Sequence, residues 1–170
     1  MSAAGDWGLF QGVKRSVIGA AALLFFDGVF TASFLWSSIV CPIWFLFSLV
    51  NSAIQRPGWG LALLRVGIPA LTLALVLANN AIQNRIAETN ARRVISACEA
   101  YHAANGVFPK DLKELVPQYL SSVPVAKYCL GPPRVFYYFN SGKPTLFWQI
   151  IPPYYRKFYD FEDQRWSYLD

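Results

Sequence analysis

From Val17 to Val50 the chain is almost continuously apolar, interrupted by Asp27, Gly28 and a few hydroxyl residues, and a second apolar run extends from Leu61 to Ala78. A bilayer core takes roughly 20 helical residues, so the 34 residues of the first run exceed one span and barely make two short ones. Two arrangements follow. A turn at Trp36-Ser37-Ser38 gives three spans in all. Alternatively, an interfacial helix up to Phe26 breaks at Asp27-Gly28 and one span covers Val29 to Val50, giving two. Three spans is the preferred expectation. It puts Lys14, Arg15, Arg56 and Arg65 on the cytoplasmic side and the C-terminal part outside, as basic residues in short loops direct. Two spans put the basic pairs on opposite sides, and no orientation follows. Pro69 lies inside the second run and is tolerated where neighbours satisfy the freed carbonyl. Charged residues are 15% of the chain against about 25% in soluble domains. The apolar region is also far longer than the roughly 7–15 residues of a signal-peptide core. Residues 1–79 are expected to form a transmembrane anchor and residues 80–170 an exported domain.

After Ala78 the pattern stays helical but changes character. Asn79 to Ala104 contains no Pro or Gly and places Val94, Ala97, Cys98 and Tyr101 on one face, the amphipathic spacing. One long helix is expected, its first part in lipid and its second part projecting with an apolar stripe. Gly106 and Pro109 end it. A short helix over Lys110 to Val116 is stopped by Pro117. Aromatic and β-branched runs between turn signals then predict strands over Val135–Phe139, Thr145–Ile151, Tyr154–Phe161 and Arg165–Leu169. The fold class is an α-helical membrane anchor of two or three spans plus an α+β domain, a long helix packed on a small antiparallel sheet.

The chemistry-bearing residues are few. His102 is the sole histidine, and with Cys98 it supplies only two of the three or four ligands that zinc requires. Phosphate loops, nucleophile elbows and Cys-x-x-Cys motifs do not occur in the sequence. No catalytic, cofactor-binding or metal-binding residue is assigned, no cofactor is called for, and the chain is not expected to be an enzyme. In an exported domain Cys98 and Cys129 are a candidate disulfide; the alternative is that both are small buried hydrophobes. Asp27 and Arg65 are intramembrane charges. They pair with each other or meet a partner subunit; otherwise Asp27 marks a helix break and Arg65 snorkels to the headgroups. Tyr137, Phe147, Trp148, Tyr155, Tyr159 and Trp166 crowd a short sheet that cannot bury them all, and are the candidate protein-contact face. From residue 80 onward eleven basic residues meet eight acidic ones, too modest an excess for nucleic-acid binding. Neither nucleic acid nor a small-molecule substrate is expected as a partner; membrane lipid and other membrane or envelope proteins are.

The stretch from Cys98 to Val116, with Gly106, Phe108-Pro109, Leu112 and Leu115 at its centre, resembles the junction of type IV pilins and type II secretion pseudopilins. The continuing Pro117-Gln118-Tyr119-Leu120-Ser121-Ser122-Val123-Pro124 is similar to pseudopilins as well. The resemblance implies a long helix, a short helix and an antiparallel sheet, placed on the periplasmic side of a bacterial inner membrane. It departs from a prepilin upstream: Gly60 precedes Leu61, but the fifth residue is Arg65 rather than Glu, and some 60 residues come before. The resulting expectation is a non-catalytic, multi-pass inner-membrane accessory or assembly protein, pilus- or secretion-related, that binds envelope or membrane partners through a pilin-like periplasmic domain. The alternative is an auxiliary subunit of a large respiratory or photosynthetic membrane complex.

Overall fold

The structure is a computed structural model and describes residues 3–131, 136–140, 142–151 and 155–169. The chain divides into two compact units, Met1–Asn80 and Ala81–Asp170. The first holds α1 (Ala3–Leu23), a π-helical turn (Leu24–Phe30), α2 (Leu35–Gln55) and the first part of α3 (Trp59–Asn105). The second holds the rest of α3, a 3₁₀ helix (Leu112–Leu115) and strands β1 (Phe136–Asn140), β2 (Lys143–Ile151), β3 (Tyr155–Asp160) and β4 (Arg165–Leu169).

The first apolar run is therefore not cut at Trp36-Ser37-Ser38, which lies inside α2. Helical geometry runs through Asp27-Gly28 as a π turn, and the chain reverses at residues 31–34, where Ala32 adopts a positive φ of 47°. Asp27 explains the position of the reversal. Fully buried, its carboxylate accepts hydrogen bonds from the backbone N–H groups of Ser37 (2.6 Å) and Trp36 (3.4 Å). It thus satisfies two of the orphan donors that open α2 and puts a negative charge at the positive end of the helix. The Ser33 N–H donates to the Asp27 carbonyl at 2.8 Å, which closes the reversal. Among the described residues two helices, α2 and α3, are long and apolar enough to cross a membrane, in place of the preferred three.

Burial in this unit is inverted relative to a soluble protein. Ser37, Cys41 and Ser48 of α2 face inward, while Ile39, Ile43, Leu46, Phe47, Val50 and Ile54 are exposed. In α3, Thr72 and Val76 are buried, whereas Leu63, Leu64, Leu71 and Leu75 are exposed.

The second unit is built the usual way round. The sheet is a four-stranded antiparallel meander in the order β1-β2-β3-β4. Its core joins Ala87, Ala91, Val94, Ile95 and Cys98 of α3 to Leu112, Leu115, Leu146, Trp148, Tyr159 and Phe161. The inward line of α3 begins earlier than its apolar stripe. Gln83, Ala87, Asn90, Val94 and Ala97 are all buried, at alternating spacings of four and three, so two amides stand where apolar residues would be expected. Each has a backbone partner. Gln83 both accepts from the Tyr128 N–H (2.9 Å) and donates to its carbonyl (3.1 Å), and Asn90 donates to the Val125 carbonyl (2.8 Å). Backbone groups of Val125 and Tyr128 in the irregular 125–128 segment are thus satisfied by side chains of the helix. The expected helix over 110–116 is a single 3₁₀ turn, capped by the Asp111 carboxylate on the Lys113 N–H.

Candidate functional site

Alternation along the strands assigns the sheet residues to two faces. Leu146, Trp148 and Tyr159 are buried in the core, and Tyr137 and Trp166 pack partly buried against it. Four of the six aromatic residues expected on a contact face, Tyr137, Trp148, Tyr159 and Trp166, thus belong to the core. The reason is size: one helix and one four-stranded sheet enclose only a thin core, and large rings fill it with few residues. Trp166 lies 4.9 Å from Tyr159 and 5.3 Å from Trp148 between ring centroids. Tyr155 stacks on Tyr168 at 5.6 Å. Phe147 alternates out between Leu146 and Trp148 and pairs in register with Phe158, so these two lie on the face away from α3. Tyr138 shares that face through its pairing with Thr145 and is 60% exposed. Tyr138, Phe147 and Phe158 are therefore outer aromatic positions among the described residues.

One cation is enclosed on the inner face. Lys157 Nζ sits 4.8 Å from the Trp166 ring centroid and 5.7 Å from those of Trp148 and Tyr168, and 3.4 Å from Glu88 on α3. A three-ring cage of this kind suits an ammonium group, and here the chain's own lysine occupies it. Glu88 also pairs with Arg92 one turn along the helix at 2.9 Å. The Arg92 hydrogen bond, helped by the charge of Lys157, holds the Glu88 carboxyl below its usual range. The alternation Tyr155, Lys157, Tyr159 already puts Lys157 inward; sequence reading overlooked it because lysine is expected in solvent.

A groove of about 600 Å³ runs beside this cluster, between the Thr89–Ala100 part of α3 and the segment Tyr119–Ser121. Arg92, Arg93 and Ser96 line it on the helix side and Ser121 on the other, above Ala97 and Leu120. Arg93 is exposed and, among the described residues, has no acidic partner. No sequence motif marks this groove, because its second wall comes from a segment some 20 residues further along the chain.

The remaining candidates have structural roles. Cys98 and Cys129 are both free, which corrects the candidate disulfide. Cys98 is enclosed in the core, where burial pushes its thiol up to about 12; the Cys129 thiol contacts the Gly131 carbonyl at 3.5 Å. His102 stacks on Phe108 at 4.2 Å and 14°. Among the described residues no three His, Cys, Asp or Glu side chains cluster to hold a metal ion. Asp27 and Arg65 are not partners. Arg65 donates to the Gln55 side chain at 2.8 Å, near the C-terminal end of α2, while Asp27 caps its N-terminal end. The 21 residues of α2 separate the two by about 30 Å. Each charge lies at the end of the helix dipole that favours its sign.

Lys127 was not anticipated. Only 2% exposed, it donates to the Ile150 carbonyl at 3.4 Å, and burial lowers its ammonium pKa to about 8. Comparison with family models, curated proteins and solved structures finds no match to this chain.

Proposed function

We propose that the chain is a non-catalytic accessory or assembly protein of a bacterial inner membrane, anchored by α2 and α3, that acts by binding other membrane or envelope proteins through its C-terminal unit. The observation that carries this reading is the opposed burial of the two units. Residues 35–78 expose Ile, Leu and Phe and bury Ser37, Ser48 and Thr72, an arrangement that favours hydrocarbon over water as the surrounding medium. Residues 81–169 bury an apolar core. A single helix, α3, belongs to both. A helix that starts as a span and continues as the spine of an α+β unit is the shape that the pilin resemblance implies. That resemblance also supports periplasmic placement of the C-terminal unit and a pilus- or secretion-related role.

The non-catalytic part of the reading rests on where the reactive groups lie. The Cys98 thiol is buried and hard to ionise, and His102 is stacked on a ring.

The test is purification of the tagged chain in a mild detergent, with mass spectrometry of what accompanies it. Stoichiometric pilus or secretion components are the expected result. Recovery with a respiratory or photosynthetic core, lost when α2 is replaced by a generic Leu-rich helix, would replace this reading with that of an auxiliary complex subunit.

A further inference from the structure

We propose that the groove between α3 and residues 119–121 binds an extended, acidic segment of a partner protein, a proposal that rests on the protein-binding reading above. Charge comes first. Glu88 is shared between Arg92 and Lys157, at 2.9 and 3.4 Å, and Arg93, which lines the groove with Arg92, has no acidic partner among the described residues. Among the described residues no Asp or Glu lines the groove. The excess positive charge is concentrated at its Arg92–Arg93 end, where two guanidinium forks can engage carboxylates in bidentate geometry.

Shape argues for a chain rather than a small anion. The wall from Thr89 to Ala100 is about 16 Å long at 1.5 Å per residue, room for about five residues of extended peptide at roughly 3.3 Å each. Only one end is cationic. The rest has a floor of Ala97, Ala100 and Leu120, small and apolar enough for a backbone to approach closely. The exposed hydroxyls of Ser96 and Ser121 face the groove from opposite walls and supply hydrogen bonds for peptide groups. A lone phosphate would use the guanidinium end and leave the remainder of the groove empty.

The experiment uses the full chain in neutral-lipid nanodiscs and isothermal titration calorimetry. The probes are an acetylated hexapeptide alternating Asp or Glu with Ala or Leu, its Asn/Gln counterpart, and inorganic phosphate. The acidic peptide should bind about tenfold or more tightly than the amide peptide, as expected when charge-assisted hydrogen bonds are lost, and its affinity should fall as salt rises. Arg93→Gln should weaken it by a similar factor. Arg93 is exposed and unpaired among the described residues, so the fold should tolerate the change. Arg165→Gln, at an arginine paired with Asp163 in the β3–β4 turn, should leave binding unchanged.

Equal binding of the two peptides, indifference to Arg93→Gln, or no binding by any probe would overturn the proposal. Phosphate binding that depends on Arg93 without competition from the acidic peptide would also overturn it and reassign the groove to a small anion. Co-purification separates this failure from that of the protein-binding reading. Partners retained by the Arg93→Gln chain leave that reading standing and remove the groove from it, whereas no partner on the wild-type chain removes both.

Discussion

Lys127 offers a sharp energetic test, because its environment makes stability depend on pH in an unusual direction. Its ammonium is nearly solvent-free, and burial is the largest cause of its lowered pKa, from 10.5 to about 8. Between about pH 8 and 10.5 the folded chain has released this proton while the unfolded chain still holds it. Stability therefore rises with pH across that window. Below pH 8 both states are charged and the whole cost of the buried ammonium is present. At 1.36 kcal/mol per pKa unit, that cost is about 3 kcal/mol.

Lys127→Met keeps the length of the side chain and removes the charge. The assay is the rate at which Cys98 in the full chain reacts with a thiol reagent, read by mass spectrometry of its peptide. Cys98 is fully buried, so reaction reports opening of the unit. The dependence of the thiol on pH is common to both chains and cancels in their ratio. At pH 7 the wild-type rate should exceed that of Lys127→Met by about two orders of magnitude, and the ratio should shrink towards a constant by pH 10.5. A ratio that stays flat from pH 7 to 10.5 would refute the reasoning and show that the Lys127 amine is solvated or compensated in the folded chain.

Three further outcomes are expected. Asp27→Ala removes the cap of α2 and should lower stability in detergent by about 1 kcal/mol, with Asp27→Asn retaining part of it; equal melting temperatures for all three chains would count against the capping role. Gln83→Leu leaves the Tyr128 N–H and carbonyl without their partner, at a cost of about 1–3 kcal/mol, and hydrogen exchange should find faster exchange at the Tyr128 amide; unchanged protection there would contradict the assignment. Trp148→Ala should cost about 3–5 kcal/mol as a core truncation, whereas Tyr138→Ser on the outer face should change stability by no more than about 0.5 kcal/mol; denaturant midpoints of the two chains check the contrast.

Much of the fold was legible in the sequence because local patterns carried it. Alternation and turn residues placed four strands close to where they occur, and Gly106 with Pro109 ended the long helix. The count of long apolar helices was harder to read. Nothing local distinguishes a polar residue that breaks a helix from one that caps the next, and Asp27 does the latter from eight residues before α2 begins. The contact face was misread for a related reason. Six aromatic residues were grouped by composition, but the two-residue period of the strands divides them, sending Trp148 and Tyr159 inward and Phe147 outward. Gln83, Asn90, Lys127 and Lys157 were missed because each is a polar side chain buried by a partner remote in sequence, and only the fold brings those partners together. The Arg92–Arg93 groove is of the same kind.

A membrane anchor continuous with the C-terminal unit requires α3 to be one helix that passes from hydrocarbon into water. The direct measurement is site-directed spin labelling along α3 of the reconstituted chain, comparing collision rates with oxygen and with a water-soluble nickel chelate. Labels at Leu63, Leu71 and Leu75 should collide mainly with oxygen, and labels at Thr89, Arg93 and Ser96 mainly with the chelate, the change falling between Ala78 and Arg85. Ready access of the chelate to Leu63 and Leu71 would contradict the membrane-anchored architecture and the function proposed on it.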